Sequence, residues 1–196
     1  MTAAKRLLAI VEGEGDERAV PVLLRRILHA HQRFDVEVLH PQRRGELPKV
    51  KANFSRFFGA AVLEDAAILC VLDFDCAECV DVLKAEKDMR LEASKLRPHQ
   101  LFDACFIVKE FESLFLWDAT ATRQALPLIP KTKAFPAQPE SVRDAKGWLS
   151  DAQPSGVAYK PTAHQAKVTA QLNLNQLAAC SPSYQRLEAA VLRLTA

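Results

Sequence analysis

The sequence predicts an α/β fold, in which helices flank a mainly parallel sheet of about four strands and a helical C-terminal cap packs on it. Three observations support this prediction. Short apolar runs end at glycine or at acidic residues, as buried strands do. Stretches with the apolar spacing of amphipathic helices separate these runs. Their regular alternation is typical of a parallel sheet covered by helices.

The individual elements of the core follow from local patterns. A continuous apolar run such as Ile68–Leu72 is typical of a buried strand, and the apolar spacing between Val20 and Leu28 is that of one helix face. Strands are predicted at Arg6–Val11, Phe34–Leu39, Ala66–Leu72 and Leu101–Val108. Helices are predicted at Asp16–His31, Val50–Asp65, Glu78–Leu96 and Glu110–Asp118, with a loop at Pro41–Pro48.

The composition changes after the core, which we place at residues 1–118. Prolines interrupt residues 119–196 repeatedly, and helical patterns lie between them. These patterns predict helices at Ser141–Ala152, Ala163–Leu172 and Ser183–Leu194. The apolar content of this segment is modest, so we expect an extension packed on the core within one structural domain.

Composition and charge limit the class of protein. The chain has 196 residues, of which 49% are hydrophobic and 26% charged, as in ordinary globular domains. The net charge of +2 excludes a protein that coats nucleic acid, so any nucleic-acid contact requires a local basic patch. No apolar run has the ~20 residues that cross a bilayer, and no signal-peptide pattern is present. We therefore expect a cytoplasmic location and no membrane partner; the oligomeric state is open.

The five cysteines suggest free thiols, because an odd count in a cytoplasmic chain does not indicate a disulfide framework. Cys76 and Cys79 have the spacing of zinc ligands. A closed structural zinc site needs four ligands, and the sequence has no second pair at matching spacing. The role of these two cysteines stays open.

Acidic residues follow three of the predicted strands. Glu12 follows the first strand, Asp73 and Asp75 follow the third, and Glu110 follows the fourth. Ligands of parallel sheets bind at the carboxyl ends of the strands. Neighbouring carboxylates repel one another, and Mg²⁺, which prefers oxygen ligands, offsets that repulsion. Two alternatives remain: the Asp-x-Asp pair as a solvated turn, and Asp16 as a helix cap.

The segments Val-Glu-Gly-Glu-Gly-Asp, residues 11–16, and Asp-Phe-Asp, residues 73–75, together resemble the Toprim superfamily, in particular OLD-type nucleases and small stand-alone Toprim-like proteins. Gly15 departs from that pattern, since threonine is common there, and so does Cys76, where an acid or polar residue often stands. The resemblance implies Mg²⁺, with Mn²⁺ as a substitute, held by four carboxylates: Glu12, Asp16, Asp73 and Asp75. Glu12, Asp73 and Asp75 would also be catalytic.

Two later segments extend the resemblance. Glu110-Phe111-Glu112 is similar to an element of the stand-alone family, which implies that Glu110 and Glu112 line a second metal site. Lys160 resembles the late lysine that completes the site of OLD-type nucleases, which implies a catalytic role. The alternative for Lys160 is a surface lysine before a helix.

Basic residues cluster after the second predicted strand. The candidates for phosphate contact are Arg43, Arg44, Lys49, Lys51 and Arg56. A solvated, mobile loop is the alternative explanation for this cluster.

The function implied by the resemblance is that of a Mg²⁺-dependent nuclease or nuclease subunit acting on DNA or RNA. Such a protein could be an effector of a phage-defence system. One alternative is a non-catalytic or conditionally active partner of a separate ATPase, because the chain has no phosphate-binding Gly-x-x-x-x-Gly-Lys-Ser/Thr loop of its own. Another is an aspartate-dependent phosphatase or other phosphoryl-transfer enzyme.

Overall fold

The computed structural model describes residues 5–76 and 79–196, and it confirms the predicted α/β fold with a parallel sheet flanked by helices. The strands are β1 (Lys5–Val11), β2 (Val36–Val38), β3 (Gln42–Arg43), β4 (Ala67–Phe74) and β5 (Phe102–Val108). Their order is β2-β1-β4-β5, and every pair in it is parallel. The short β3 also pairs with β1, beyond β2 and at the carboxyl end of β1.

Ten α-helices surround the sheet in the described part of the chain. The first four are α1 (Glu14–Ala30), α2 (Leu47–Ala52), α3 (Phe54–Val62) and α4 (Val82–Leu96). The others are α5 (Ser113–Leu116), α6 (Ala119–Ala125), α7 (Ala145–Asp151), α8 (Pro161–Thr169), α9 (Leu174–Cys180) and α10 (Pro182–Thr195). Within residues 5–76 and 79–196, none of them has the length and apolar character needed to cross a membrane.

The strands send alternate side chains into two separate cores, as the pleat of a strand requires. Leu7 and Leu69 pack in the core under α1 and the C-terminal helices. Leu8 and Ile68 pack in the opposite core, under α2, α3 and α4. Both faces of the central strands are therefore covered, which is the expected environment of apolar runs in a parallel sheet.

The C-terminal helices pack directly on the core elements. Helix α8 lies along α1, and α10 lies against β5 and β4. Arg26 of α1 donates to the carbonyl oxygens of Thr169 at 2.6 Å and Leu172 at 2.5 Å. Side chains of residues 119–196 can therefore reach the edge of the sheet where the acidic residues lie.

Several predicted boundaries are wrong. The helix predicted at Val50–Asp65 is two helices, because Asn53 has φ −120° and ends α2. The predicted strand Phe34–Leu39 shortens to β2, and the predicted loop Pro41–Pro48 contains β3. These short pieces owe their conformation to pairing with β1 rather than to their own sequence.

Helix starts also differ from the predicted ones. Helix α4 begins at Val82, where the Asp81 side chain accepts the Lys84 N–H at 2.9 Å; Glu78, the predicted start, lies outside the described residues. The segment from Glu110 becomes helical only at Ser113. Helices α6 and α9 were not predicted; each starts at a residue whose side chain caps it, Asp118 and Asn173.

The expectation of free thiols is wrong for one pair. Cys76 and Cys79 form a disulfide with a Cα–Cα distance of 5.1 Å, a separation that a disulfide spans without backbone movement. Cys70 and Cys105 are buried free thiols in β4 and β5. The zinc-like spacing thus corresponds to a small covalent loop directly after Asp75.

Candidate active site

Carboxylates gather where β1, β4 and β5 end. Glu12 comes directly after β1, Asp73 is the second-last residue of β4, and Glu110 and Glu112 follow β5. The ends of parallel neighbouring strands meet at the same edge of the sheet. The structure therefore places Glu12, Asp73, Glu110 and Glu112 at one edge of the sheet.

Asp73 is fixed in this edge by the chain that leaves β5. It is 6% exposed, and its Oδ1 accepts the backbone N–H of Phe111 at 2.8 Å. The turn that presents this N–H starts at Lys109, which has φ +66° and forms an antiparallel bridge with Phe74. The turn also places Glu110 and Glu112 next to Asp73.

The ammonium group of Lys146 lies among three of these carboxylates. Its Nζ is 3.3 Å from Oδ2 of Asp73, 3.2 Å from Oε1 of Glu110 and 3.5 Å from Oε2 of Glu112. The backbone N–H of Lys146 also donates to Oε2 of Glu110 at 3.0 Å. Asp144 caps α7 through the N–H of Gly147, which sets the helix start that aims Lys146 at the acids.

Lys146 occupies the place that the sequence assigned to Lys160. Lys160 is exposed at the start of α8, and its backbone N–H donates to Nδ1 of His164 at 3.0 Å. Within the described residues, the ion pairs with Asp73, Glu110 and Glu112 are made by Lys146 and not by Lys160. The sequence offered no signal for Lys146 beyond its position two residues after the capping residue Asp144.

Two further residues of the C-terminal segment contact the acids. The Tyr159 hydroxyl donates to Oε1 of Glu112 at 3.1 Å, and the Gln165 amide donates to Oδ1 of Asp16 at 2.6 Å. The other oxygen of Asp16 accepts the N–H of Gly13 at 2.8 Å. Asp16 therefore caps α1 with one oxygen and binds α8 with the other, as the alternative interpretation of this residue expected.

Asp75 has a different environment from Asp73. It is exposed and lies beyond the last residue of β4, so the alternation of a strand does not extend to it. Its charge is close enough to Glu12 to raise the pKa of that carboxyl group. Asp75 thus contributes negative charge at the mouth of the site, while Asp73 lies inside it.

Glu12, Asp73 and Glu112 hold protons more strongly than isolated carboxyl groups, and each has a raised pKa. Burial, and then the charge of Asp16, raise the pKa of Glu12 to about 7. Burial raises the pKa of Glu112 to about 7 although Lys146 opposes the shift, and burial raises the pKa of Asp73 well above its usual value. Burial alone would lower the pKa of Lys146, but the charges of the carboxylates outweigh it and raise that pKa.

Three carboxylates face one ammonium group, so the site has more negative charge than Lys146 can balance. Oε2 of Glu112 is buried and has no hydrogen-bond partner, and its 3.5 Å contact with Lys146 is an ion pair only. All donors are carboxylate oxygens, the ligands that Mg²⁺ and Mn²⁺ prefer. In residues 5–76 and 79–196, no three His, Cys, Asp or Glu side chains are already arranged around one metal position. By charge and donor type, the residues fit a hard divalent cation.

The predicted basic cluster lies beside Glu12. A cavity of about 290 Å³ is lined by Glu12, Arg43, Arg44, Gly45, Lys49, Arg56 and Phe57. Lys51 is exposed on α2 and is not part of its lining. The N–H groups of Arg44 and Gly45 donate to the carbonyl oxygens of Val11 at 2.9 Å and Glu12 at 3.2 Å, so this segment is tied to β1.

Comparisons with known proteins give one family match and two structural likenesses. A family model described as "Domain of unknown function (DUF4276)" matches residues 11–192. The C-terminal region of the Burkholderia pseudomallei OLD protein has 10% identity and a TM-score of 0.50, with 100% of both chains covered. That of the Xanthomonas campestris pv. campestris OLD protein has 13% identity and a TM-score of 0.47, covering 97% of this chain and 96% of that one. No curated protein sequence matches the chain. At this identity, the first likeness shows a common fold.

Proposed function

The chain belongs to the DUF4276 family, and from that premise we propose that it is a Toprim-type, metal-dependent nuclease or nuclease subunit that hydrolyses phosphodiester bonds of DNA or RNA. One observation carries the proposal: the carboxylates of Asp73, Glu110 and Glu112 meet at the carboxyl edge of a parallel sheet around a single lysine. Glu12 stands at the same edge. Ligands of α/β sheets bind at this edge.

The acids have distinct tasks in this proposal. Asp73, Glu110 and Glu112 would hold Mg²⁺ or Mn²⁺, and Glu12 would stay free of the cation to act as a base. When bound, the cation supplies a Lewis acid for the phosphoryl oxygens and lowers the pKa of coordinated water. The two carboxylate oxygens of Asp16 accept hydrogen bonds from Gly13 and Gln165. Asp16 therefore holds the chain that follows Glu12 against α8 and does not bind the cation directly. Asp75 adds charge from the solvent side.

Glu12 is also suited to move a proton. Its pKa of about 7 means that its carboxylate can accept a proton from water near neutral pH and return it afterwards. Glu12 lines the basic cavity as well, so a phosphate held there lies next to its carboxylate. We therefore assign the general-base role to Glu12 and leave Asp73, which is almost fully buried, as a binding residue.

Lys146 is assigned the role proposed for Lys160. A fixed ammonium group at the edge of the site stabilises the negative charge that develops on phosphoryl oxygens. Its raised pKa keeps this group protonated across the neutral range. Three carboxylates already hold the ammonium group of Lys146 in place. The lysine side chain therefore needs little reorganisation when a phosphoryl group of the substrate replaces one of these carboxylates as its partner.

The alternative of an aspartyl-phosphate enzyme receives less support from the geometry. A nucleophilic aspartate must expose an oxygen to the phosphorus atom. Asp73 has one oxygen on the Phe111 N–H and the other on Lys146, and it is 6% exposed. Asp75 is exposed, but none of the hydrogen bonds or ion pairs in the described part of the chain orients its carboxylate.

A conditionally active partner of a separate ATPase is the second candidate, and Lys146 is the observation that favours it. Its three ion pairs occupy carboxylate oxygens that a cation would need. A partner that shifts α7 would release those oxygens and switch the site on. Stable co-purification with an ATPase, together with cleavage only in the complex, supports this candidate; full cleavage by the isolated chain contradicts it.

The test of the nuclease proposal is a set of matched substitutions assayed with Mg²⁺ or Mn²⁺ on DNA and RNA. Asp73→Asn and Glu12→Gln should each lower kcat by about 10²-fold or more, because each removes a charged group from the reaction centre. Asp151→Asn, at an exposed acid that ends α7, is the control and should keep full activity. Cleavage that survives both site variants contradicts the proposal.

The two lysines give a second, sharper contrast. Lys146→Gln should lower kcat by about 10²-fold, the usual effect of losing one group that stabilises transition-state charge. Lys160→Gln should leave kcat unchanged, because its side chain is exposed away from the acids' ion pairs. The reverse result would restore the role of Lys160 and remove that of Lys146.

A further inference from the structure

The basic cavity beside Glu12 carries positive charge that the protein itself does not neutralise. Four of its lining residues are cationic: Arg43, Arg44, Lys49 and Arg56. Among the described residues, Glu12 is the acid in that lining, and Arg43 reaches Glu14 outside the cavity only at 4.0 Å. In the described part of the chain, the other three cations take part in no ion pair. Cations gathered without counter-charge are suited to an anion.

Packing holds the guanidinium groups in place before any ligand arrives. Arg44 and Arg56 both lie over the ring of Phe57, at 5.3 Å and 4.9 Å from its centroid. Arg44 also donates to the side-chain oxygen of Gln42 at 2.6 Å. Groups that are already ordered lose less conformational entropy on binding. The cavity is therefore organised for its ligand rather than lined by freely moving side chains.

The lining also limits what the ligand can be. Phe57 is 7% exposed and is covered by the two arginines, so it offers no free face on which a base could stack. About 290 Å³ is at the lower end of ligand cavities. A phosphate with its sugar suits this size and charge, whereas reading of a base needs donors or a stacking face aimed at base edges.

Glu12 joins this cavity to the acidic site. Glu12 lines the cavity and also stands directly after β1, at the edge of the sheet where the acids that follow β5 lie. An acidic region for a cation and a basic region for an anion thus share one residue. A nucleic-acid strand repeats its phosphates, so it can place one phosphate in each region at the same time.

We propose that the cavity formed by Arg43, Arg44, Lys49 and Arg56 binds a backbone phosphate of a nucleic-acid strand next to the phosphate that is cut. This inference rests on the proposed function for the identity of the cut bond, and it adds a binding site for a second phosphate of the same strand. The substrate is a polynucleotide with a phosphate beyond the scissile one, bound without regard to base sequence, and not a small isolated phosphodiester.

Binding without metal tests the proposal independently of catalysis. A fluorescently labelled single-stranded oligonucleotide is titrated with the full chain in EDTA, and anisotropy gives the Kd at several salt concentrations. Lys49→Gln and Arg56→Gln should each weaken binding about fivefold and reduce the slope of log K against log salt by about 0.7. Both side chains are exposed, so the variants should fold.

Lys51→Gln is the matched control, because Lys51 lies on α2 with Lys49 but outside the cavity lining. Unchanged Kd for Lys51→Gln with weaker binding for Lys49→Gln supports the proposal. Equal losses for the two variants overturn it, since they would indicate diffuse surface attraction. Complete competition by inorganic phosphate at the same phosphate concentration also overturns it, because the cavity would then bind a free anion and not a strand.

Cleavage measurements separate this inference from the proposed function. With active protein, Lys49→Gln and Arg56→Gln should lower kcat/KM more for an oligonucleotide than for bis(p-nitrophenyl) phosphate, which has no neighbouring phosphate. Equal losses on both substrates overturn the inference and leave the nuclease proposal standing. Oligonucleotide binding that depends on the cavity in a chain with no cleavage would support the phosphate-binding site and contradict a nuclease that is active on its own.

Discussion

Two regions of the molecule bury carboxylates, and they balance the charge in different ways. Along β5, which is an edge strand, Glu86 and Asp103 are almost fully buried. Three arginines pair with these two acids: Arg90, Arg186 and Arg193. At the carboxyl edge of the sheet, a single lysine faces three buried carboxylates, with Glu12 nearby.

The β5 region also satisfies the backbone of the strand. Glu86 accepts the N–H of Phe106 at 2.9 Å, and Arg186 donates to the carbonyl oxygen of the same residue at 2.8 Å. Arg193 contacts Oδ2 of Asp103 through two nitrogens, at 3.0 Å and 2.7 Å. Side chains of α4 and α10 thus cover an edge that could otherwise pair with another strand. The paired charges along β5 stabilise the fold, whereas the excess of acids at the carboxyl edge of the sheet is suited to binding a cation.

The largest expected effect comes from replacing one buried aspartate by asparagine in each region and comparing the free energies of unfolding. Asp103→Asn should lower the free energy of unfolding by about 3 kcal/mol, because Arg193 loses its carboxylate partner and Arg90 keeps only Glu86. Asp73→Asn should change it by less than about 1 kcal/mol or raise it, since it relieves repulsion at a site shaped for function. Urea denaturation at neutral pH without metal measures both. Similar losses would mean that the acidic cluster is structural too.

A pH series sharpens the contrast through Glu112. Its pKa is raised from 4.5 to about 7, so the folded state binds more protons than the unfolded state between these values. Stability from this group is therefore highest below pH 4.5 and falls by about 3 kcal/mol as the pH rises to 7. Glu112→Gln should remove that part of the slope in metal-free urea denaturation. The exposed Glu64→Gln is the control, and equal slopes for wild type and Glu112→Gln would contradict the assignment.

The parts that the sequence predicts well depend on neighbours along the chain. A buried parallel strand has a continuous apolar run, and Glu12 and Asp73 stand at the ends of such runs. Parallel pairing then brings the strand ends together without further information. For the same reason, Glu110 and Glu112 could be assigned to the edge from the end of β5 alone.

The parts that the sequence did not predict depend on long-range packing. Lys146 reaches the acids only because α7 docks at the carboxyl edge, and no local pattern distinguishes Lys146 from Lys160. The two-residue β3 exists through its pairing with β1 and is too short to show alternation. Lys49 and Lys51 differ because residues two apart on a helix point about 200° away from each other. The basic residues that cluster in the sequence therefore line one cavity, except for Lys51.

The smallest expected effect concerns Gly15, in the first turn of α1. A Cβ at this position would lie 1.9 Å from Oε1 of Gln165 and 2.7 Å from Cβ of Pro161, so only glycine lets α8 approach α1 this closely. Gly15→Ala should lower the free energy of unfolding by about 2 kcal/mol through overpacking. It should also weaken activity, because it moves Gln165 away from Asp16.

Gly59 provides the matched control for that substitution. It lies in α3, and no atom is within 4 Å of a Cβ built there, so Gly59→Ala should stabilise the protein by about 0.5–1 kcal/mol through helix propensity. Combining Gly15→Ala with Gln165→Ala should recover part of the stability but not the activity, since the bond to Asp16 stays lost. Recovery of both stability and activity would show that Gln165 has no positioning role. Recovery of stability without activity would show that the close α1–α8 contact is needed to position Asp16 and not to stabilise the fold.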